Sequence, residues 1–266
     1  MKILYEDKDI LVIDKPSGIS VHPDGKSKEK SITDWVLKNY PKMKNVGEPM
    51  RVANSQVESN QVFKVKSKSN FQLSTFNFIT IPRPGVVHRL DKGTSGVLIL
   101  AKNQKTYEFL KEQFQSHKIK KTYIAIVNGW PKNDWGLINK PIGRSPSDFR
   151  RRLAGRGARG EMREATTEYK VLKRFKEASV PFSILEVYPK TGRTHQIRVH
   201  LKYLSFPIVC DSLYNPTGVC PKGLKRMGLH AKSIEFESIS GKKIKVESPL
   251  PKEFKKVLKY QDETRD

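Results

Sequence analysis

A carboxylate and a guanidinium, each inside a dense run of polar residues and glycines, are the first candidates for chemistry. Asp91 lies in Arg83-Pro84-Gly85-Val86-Val87-His88-Arg89-Leu90-Asp91-Lys92-Gly93-Thr94-Ser95-Gly96, directly before the apolar run Val97-Leu98-Ile99-Leu100. A carboxylate in a glycine-bounded loop at the mouth of a buried strand is held firmly yet stays accessible, as a nucleophile or general base must be. An aspartate that merely makes a turn beside Gly93 has the same local appearance, so position 91 needs a partner to be more than a turn. Lys190-Thr191-Gly192-Arg193-Thr194-His195-Gln196-Ile197-Arg198-Val199-His200 supplies one. Arg198 falls in the first turn of an expected helix, beside its apolar face, where a cation is costly unless it meets an anion. Asp91 fits that need: a guanidinium at hydrogen-bonding distance keeps a pocket carboxylate ionised and aims it. Tyr123 is the third candidate, on an alternating strand in Lys121-Thr122-Tyr123-Ile124-Ala125. A tyrosine there either packs its ring on a core edge or lines a cleft, where the ring can stack on a base and the hydroxyl can move a proton.

The elements that must position these groups are legible from apolar spacing. Ile3 to Tyr5 and Ile10 to Ile13, separated by Glu6-Asp7-Lys8-Asp9, predict a β-hairpin, and Ile32, Trp35 and Val36 predict a helix that stops before Pro41. Gly96 to Ala101 reads as a fully buried strand, Asn103 as the cap of a helix with Tyr107, Leu110 and Phe114 on one face, and Lys120 to Val127 as the next strand. Tyr169 to Phe175 and Phe182 to Tyr188 follow as strands. Thr194 is expected to cap a helix with Ile197, Leu201 and Leu204 facing inward. Leu229 to Phe236 and Lys243 to Val246 are late strands, and Pro251 opens a helix carrying Phe254, Val257 and Leu258. Strands outnumber helices and short turns join most of them, so the expected class is α+β, with a mixed, largely antiparallel central sheet and flanking helices around a cleft. Residues 1–266 are expected to form a single catalytic domain. Two segments lack a regular period: 52–82, read as an inserted surface loop or loose hairpin, and Pro141 to Glu164, a basic, glycine-dotted loop with little to bury and a candidate RNA contact.

Composition narrows the partner. The 266 residues carry 51 Lys and Arg against 27 Asp and Glu, a formal charge of +24, which points to a polyanion and first of all to nucleic acid. No run approaches the ~20 apolar residues of a transmembrane helix and the N-terminus has no signal-peptide core, so the expectation is a cytoplasmic protein with no membrane partner. Cys210 and Cys220 have no Cys-x-x-Cys partners and read as reduced bystanders. There is no Walker loop and no dinucleotide fingerprint.

Taken together, the quoted segments resemble the RluA-type RNA pseudouridine synthases, isomerases of uridine in ribosomal and transfer RNA. The resemblance rests on His88 to Gly96, on Lys121-x-Tyr123 with Ala125 and Gly129, and on Gly192 to His200, in matching order. Asp14-Lys15-Pro16-Ser17-Gly18, Val21-His22-Pro23, Asp211 with Tyr214, Leu229-His230-Ala231 and Glu247 to Pro251 add to it, so that it covers nearly the whole chain outside the insert. It implies the pseudouridine synthase fold and a base-flipping mechanism in which Asp91 attacks the extruded uridine or its sugar, so that the base detaches, rotates and rejoins through carbon. By the same resemblance Tyr123 stacks on the base and assists proton removal, Arg198 ion-pairs with Asp91, and Arg89 enters the stack that the nucleotide vacates. His88, Arg193, His195, Gln196 and Leu229 are implied as further substrate-binding positions. Isomerisation exchanges one glycosidic bond for another, so no cofactor and no metal are expected. Structured RNA, ribosomal or transfer, is the expected partner of a monomeric enzyme. Many members carry a small RNA-binding domain ahead of the catalytic motifs; here those motifs begin by Ile10, and none is expected. Two other readings stand beside this one: a metal-dependent RNA hydrolase using His88, His195, His200 and Asp91, and a non-catalytic RNA-binding module. The i, i+5 spacing of His195 and His200 puts them on different helix faces, which weighs against the first.

Overall fold

In a computed structural model of the chain, residues 1–23, 29–54, 63–66, 71–74 and 77–259 are described. The hairpin that opens the sequence is β1 (Lys2–Glu6) and β2 (Ile10–Lys15), turned by Asp7, whose carboxylate accepts from the amides of Asp9 and Ile10. Helix α1 (Ile32–Asn39) starts at a reciprocal cap between Ser31 and Asp34 and ends at Tyr40, before Pro41, as the apolar spacing predicts. Four short strands follow: β3 (Met50–Asn54), β4 (Phe63–Lys66), β5 (Phe71–Ser74) and β6 (Asn77–Ile81). β3 pairs with β6 and β4 with β5, both antiparallel, so the described parts of the insert agree with a loose hairpin. Residues 55–62, 67–70 and 75–76 of it lie outside the described residues.

β7 (Ser95–Ala101) is buried at every position, and Asn103 caps α2 (Gln104–Gln115) by accepting from the Thr106 amide. Then come β8 (Lys120–Asn128), β9 (Trp135–Asn139), β10 (Ile142–Arg144), β11 (Arg152–Ala154), β12 (Arg159–Arg163), β13 (Thr166–Glu177), β14 (Val180–Pro189), α3 (Gln196–Tyr203), β15 (Leu229–Glu237), β16 (Lys243–Glu247) and α4 (Lys252–Lys259). The central sheet has nine strands in the order β1-β2-β7-β15-β8-β14-β13-β9, with β16 on β15. All of its pairings are antiparallel except β7 with β15, so the architecture is α+β around a mixed, mostly antiparallel sheet. Strand β8 shows how both faces are covered. Its Ala125 and Val127 pack with Ile197 and Leu201 of α3, whereas Ile124 and Ile126 pack with Phe254 and Val257 of α4, so the two helices lie on opposite faces.

Three expectations are corrected, and one strand went unread. Pro141 to Glu164 is not a loop without a core: β10 pairs with both β11 and β12, and Ile142, Ala154 and Ala165 are buried with Val199 and Tyr214. Its core residues are few, small and separated by arginines and glycines, so no period reaches the eye. Thr194 does not cap α3. His195 occupies the cap position in the left-handed region (φ 58°) and makes no side-chain cap bond, while the Gln196 amide oxygen takes the Arg193 amide instead. Strand β9 went unread because Trp135 and Leu137 are exposed on an edge strand and mask its alternation. Cys210 and Cys220 are joined as a disulfide, with Cα atoms 5.4 Å apart; the turn at Asp211 to Asn215 brings them together, which spacing alone cannot show.

Gly96 is the tightest backbone junction near the site. It has φ 108° and faces Ala231 across the parallel β7–β15 pairing, where a Cβ would run into the Ala231 carbonyl. Gly96→Ala is expected to lose about 1–3 kcal/mol to backbone strain before the clash is counted. Urea unfolding reads this directly, and an unchanged midpoint would refute the junction's tightness.

Candidate active site

Asp91 sits in the turn that leads into β7, closed by the Thr94 amide donating to the Asp91 carbonyl (3.0 Å). The turn is pinned from behind by the chain's first residues. Gly18 donates its amide to Lys92 O (2.8 Å) and Ser17 its hydroxyl to Gly93 O (2.6 Å). Lys15, wholly buried at the end of β2, points its ammonium at the carbonyls of Pro16, Ile19 and Lys92. Burial pushes that amine down to about 7, with the Arg226 charge acting the same way and Asp91 opposing. Arg226 bonds Ser95 Oγ (2.8 Å) and Leu229 O (3.1 Å), tying the start of β7 to the start of β15. The segment after Asp91 therefore has little freedom, while the carboxylate itself keeps 18% of its surface open.

Arg198 reaches this carboxylate from α3. Its Nη1 donates to Asp91 Oδ2 at 3.0 Å, and its Nε and Nη2 donate to Asp211 Oδ2 and Oδ1 at 2.7 and 2.9 Å. Asp211 also accepts from the amides of Leu213 and Tyr214. Burial alone would raise the Asp211 carboxyl, but Arg198 and the two amides outweigh it and hold it below the usual carboxylate range. Burial works against the Arg198 charge too, and the two aspartates more than restore it. The Tyr214 ring lies 4.9 Å from the guanidinium carbon, and its hydroxyl accepts from the Arg152 amide (2.9 Å) and meets His195 Nδ1 (2.9 Å). The Arg152 amide leaves the phenolic proton free to go to Nδ1, and in that tautomer the neutral imidazole carries its own proton on Nε2. Nε2 stands 3.9 Å from Asp91 Oδ1. Burial holds His195 below its ordinary value, aided by Arg198 and Arg89 and opposed by Asp91 and Asp211.

These groups open into a cleft of about 510 Å³, within the range of a small-ligand site. Tyr123 on β8 lines it, its hydroxyl pushed up by burial and by the Asp91 charge and so kept protonated. His88 forms a wall. Its Nε2 accepts from the Ile99 amide, its ring stacks on Phe114 (4.6 Å between centroids), and burial pushes it down to about 3. Arg89 is exposed at the rim, and Leu229 is a buried part of the lining. Arg193 lines the cleft and donates Nε to Glu164 O (2.9 Å). The Gln196 amide is committed to protein partners: its oxygen accepts from Thr191 and Arg193, and its nitrogen donates to Thr166 O and Thr167 Oγ1. All nine positions singled out in the sequence thus meet in one cleft. Sequence reasoning missed Lys121, whose amine lines the cleft, bonds Thr191 O (3.1 Å) and is pushed by burial to about 8. It also gave no role to Lys15, Asp211, Tyr214 and Arg226, though three of these stand in the segments it quoted. His200 is turned away, bonded to Thr167 and Lys140 O, and among the described residues no three His, Cys, Asp or Glu side chains are grouped to hold a metal.

A family model described as RNA pseudouridylate synthase matches residues 9–203. The chain belongs to the RNA pseudouridine synthase family. This synthase is an isomerase that converts uridine in RNA to pseudouridine. It is similar to ribosomal large subunit pseudouridine synthase D of Borreliella burgdorferi, 37% identical over 255 residues that cover 95% of this chain and 66% of the relative. The protein of the same name from Xanthomonas campestris is 33% identical over 270 residues, covering 97% of this chain and 68% of the relative. The solved structure of human RNA pseudouridylate synthase domain containing 1 shares the fold, with a TM-score of 0.66 at 22% identity, over 94% of this chain and 83% of that one. No helix among the described residues is long and apolar enough to cross a membrane.

Asp211 carries a testable consequence of this geometry. Removing one partner of a buried ion pair costs about 3–5 kcal/mol, so Asp211→Asn is expected to destabilise the synthase by that order at neutral pH. Because the folded pKa is depressed, the carboxylate's contribution is complete above the unfolded value near 4 and is lost as pH falls through the folded value. The stability gap between the two proteins should accordingly close on acidification below about pH 4. Denaturant unfolding across that range checks it.

Proposed function

We propose that Asp91 is the catalytic carboxylate of the isomerisation, acting on a uridine that has left its stack and entered the cleft. The single observation that carries this is the Arg198 bond to Asp91 Oδ2 in the lining of an open cleft, a bond that leaves Oδ1 outside the guanidinium's grip. The reaction breaks the N1–C1′ bond and forms C5–C1′; N1 gains a proton and C5 loses one. In this reading Tyr123, uncharged and lining the cleft, stacks on the base and relays the C5 proton toward solvent, giving up its phenolic proton as it takes that one. His195, whose Nε2 stands 3.9 Å from Asp91 Oδ1, is a second group that steadies the carboxylate in this reading. Arg89 at the rim replaces the flipped base in the stack, as a planar cation can. Flipping costs a few kcal/mol, and phosphate contacts from the basic surface supply it.

The two relatives named for the ribosomal large subunit make its RNA the substrate we propose. In this reading residues 1–266 work as one catalytic domain and as a monomer in the cytoplasm, with 52–82 an insertion. Large-subunit RNA labelled with tritium at uridine C5 tests the chemistry, since the isomerisation releases that label. Asp91→Asn is expected to bind the RNA normally and release none; release at the normal rate would remove Asp91 from the mechanism. Tyr214→Phe, which keeps the ring on Arg198 but frees the His195 tautomer, is expected to lower kcat by roughly tenfold with KM unchanged. Mapping pseudouridine in cells with and without the gene then identifies the position modified.

A further inference from the structure

The β10–β12 sheet carries a feature that the isomerisation does not use. Phe149, at the tip of the β10–β11 turn, is 85% exposed, more than any other large apolar side chain among the described residues. A lone exposed apolar residue is ordinary. This one differs in how its backbone is held. The Ser145 amide donates to Arg151 O (3.2 Å) and the Arg151 amide to Asp148 O (2.9 Å), closing the turn. The Asp148 carboxylate accepts from the Arg150 amide and from the Nε and Nη2 of the Arg150 guanidinium at 2.8–3.0 Å. Arg152 Nη1 donates to Phe149 O itself (3.2 Å). The chain on either side is thus fixed while the ring packs on nothing that would exclude water from it.

The surroundings of the ring say what it fits. Arg144, Arg156 and Arg159 are exposed on the same small sheet, Arg144 and Arg159 paired across β10 and β12 at the end where the Phe149 turn leaves and Arg156 beside Gly155 at the other end, and among the described residues no carboxylate lies within ion-pair distance of them. A flat apolar face on a sheet with uncompensated guanidinium groups matches an unpaired nucleotide, whose base has a π face and whose phosphate is an anion. The sheet is also rooted at the cleft. Its Arg152 amide bonds the Tyr214 hydroxyl, Arg193 holds Glu164 O where β12 ends, and Ile142 and Ala154 pack on Val199 of α3. Three residues of chain, at most roughly 11 Å, separate Phe149 from the Arg152 amide.

We propose that this sheet is a second RNA grip, in which Phe149 stacks on an unpaired base of the RNA whose target uridine occupies the cleft, while Arg156 and Arg159 engage its phosphates. The proposal rests on the reading of the cleft given above. The test uses the full chain with protein-free large-subunit ribosomal RNA, and with a uridine trinucleotide too short to reach both places. Phe149→Ala is expected to weaken binding of the long RNA by roughly five- to a hundredfold, the range for loss of one stacked base. It should leave trinucleotide binding and the kcat on saturating long RNA unchanged. Phe149→Leu, apolar but without a π face, should behave like the alanine variant, and Phe149→Trp should keep affinity and show quenched indole emission when RNA is added. The Arg156→Ala, Arg159→Ala double variant should flatten the slope of log K against log salt by about 1.4, two single-strand phosphate contacts' worth. Wild-type affinity of Phe149→Ala for the long RNA overturns the grip, as does a leucine variant that binds like wild type. Asp91→Asn run in parallel keeps the two readings apart. If it turns over normally the cleft assignment is lost; if it is inactive and Phe149→Ala is silent, only the grip is lost.

Discussion

One buried guanidinium, shared between two unequal carboxylates, organises this molecule. Arg198 gives two of its N–H groups to Asp211 and one to Asp91. A cation with so little exposure must be paired, and the geometry of the fork decides how. Asp211, 1% exposed and held by two further backbone amides, has no capacity left and serves as the fixed end. Asp91 receives from Arg198 a single bond, at Oδ2, and its side chain lines the cleft. The same arginine therefore fixes one aspartate and orients its neighbour while leaving that neighbour's second oxygen outside its grip. The unequal division matters more than the pairing, because a carboxylate held by the fork at both oxygens would have fewer lone pairs to offer a substrate.

For that arginine to meet Asp91, segments 107 residues apart must converge within hydrogen-bond length. The β7–β15 pairing does the work. It is the only parallel contact in the central sheet, it is short, and it places the Asp91 turn beside the cleft wall that β8 and α3 build. Gly96 makes the approach possible, and Lys15 with Arg226 satisfies carbonyls at the junction that no ladder bond reaches. A buried lysine and a half-buried arginine among carbonyls are an expensive way to close a turn. They also place positive potential behind the Asp91 turn.

Elements with a strong apolar period were legible in the sequence, and those that depend on long-range closure were not. The hairpin at Ile3 to Ile13, the capped helix after Asn103 and the buried run before Ala101 each follow from spacing and turn residues that act locally. The convergence of Asp91 and Arg198 was legible for a different reason: an arginine beside an apolar helix face is costly without an anion, and the accessible aspartate of a glycine-bounded turn is the anion that it can meet. Asp211 stayed without a role because its reason for existing is a partner 13 positions away and two amides in its own turn. The β10–β12 sheet was missed because its core is Ile142 and two alanines set among arginines, a pattern that periodicity cannot separate from a loop. His195 defied the capping rule because a left-handed residue at that position turns its imidazole toward Asp91 rather than toward the helix amides.

The distribution of charge follows from what an RNA nucleotide presents. Uracil is neutral and the phosphate is an anion, so one protein must offer a low-charge slot to the first and exposed cations to the second. Inside the cleft, burial works against charge: His88 is pushed to about 3 and Tyr123 is kept protonated, both uncharged at neutral pH, while Lys121, pushed to about 8, keeps most of its charge there. The formal +24 is then displaced outward, onto arginines such as Arg89, Arg144, Arg156 and Arg159 that water can reach. Exposed cations lose little solvation when unpaired and still attract a polyanion over about a Debye length. A buried excess of positive charge would instead bind phosphate in the slot meant for the base and would pull the Asp91 carboxylate into fixed ion pairs. Balancing the buried charges of Asp91, Arg198 and Asp211 against one another therefore lets a strongly basic surface collect RNA without drawing the cleft's carboxylate into further ion pairs.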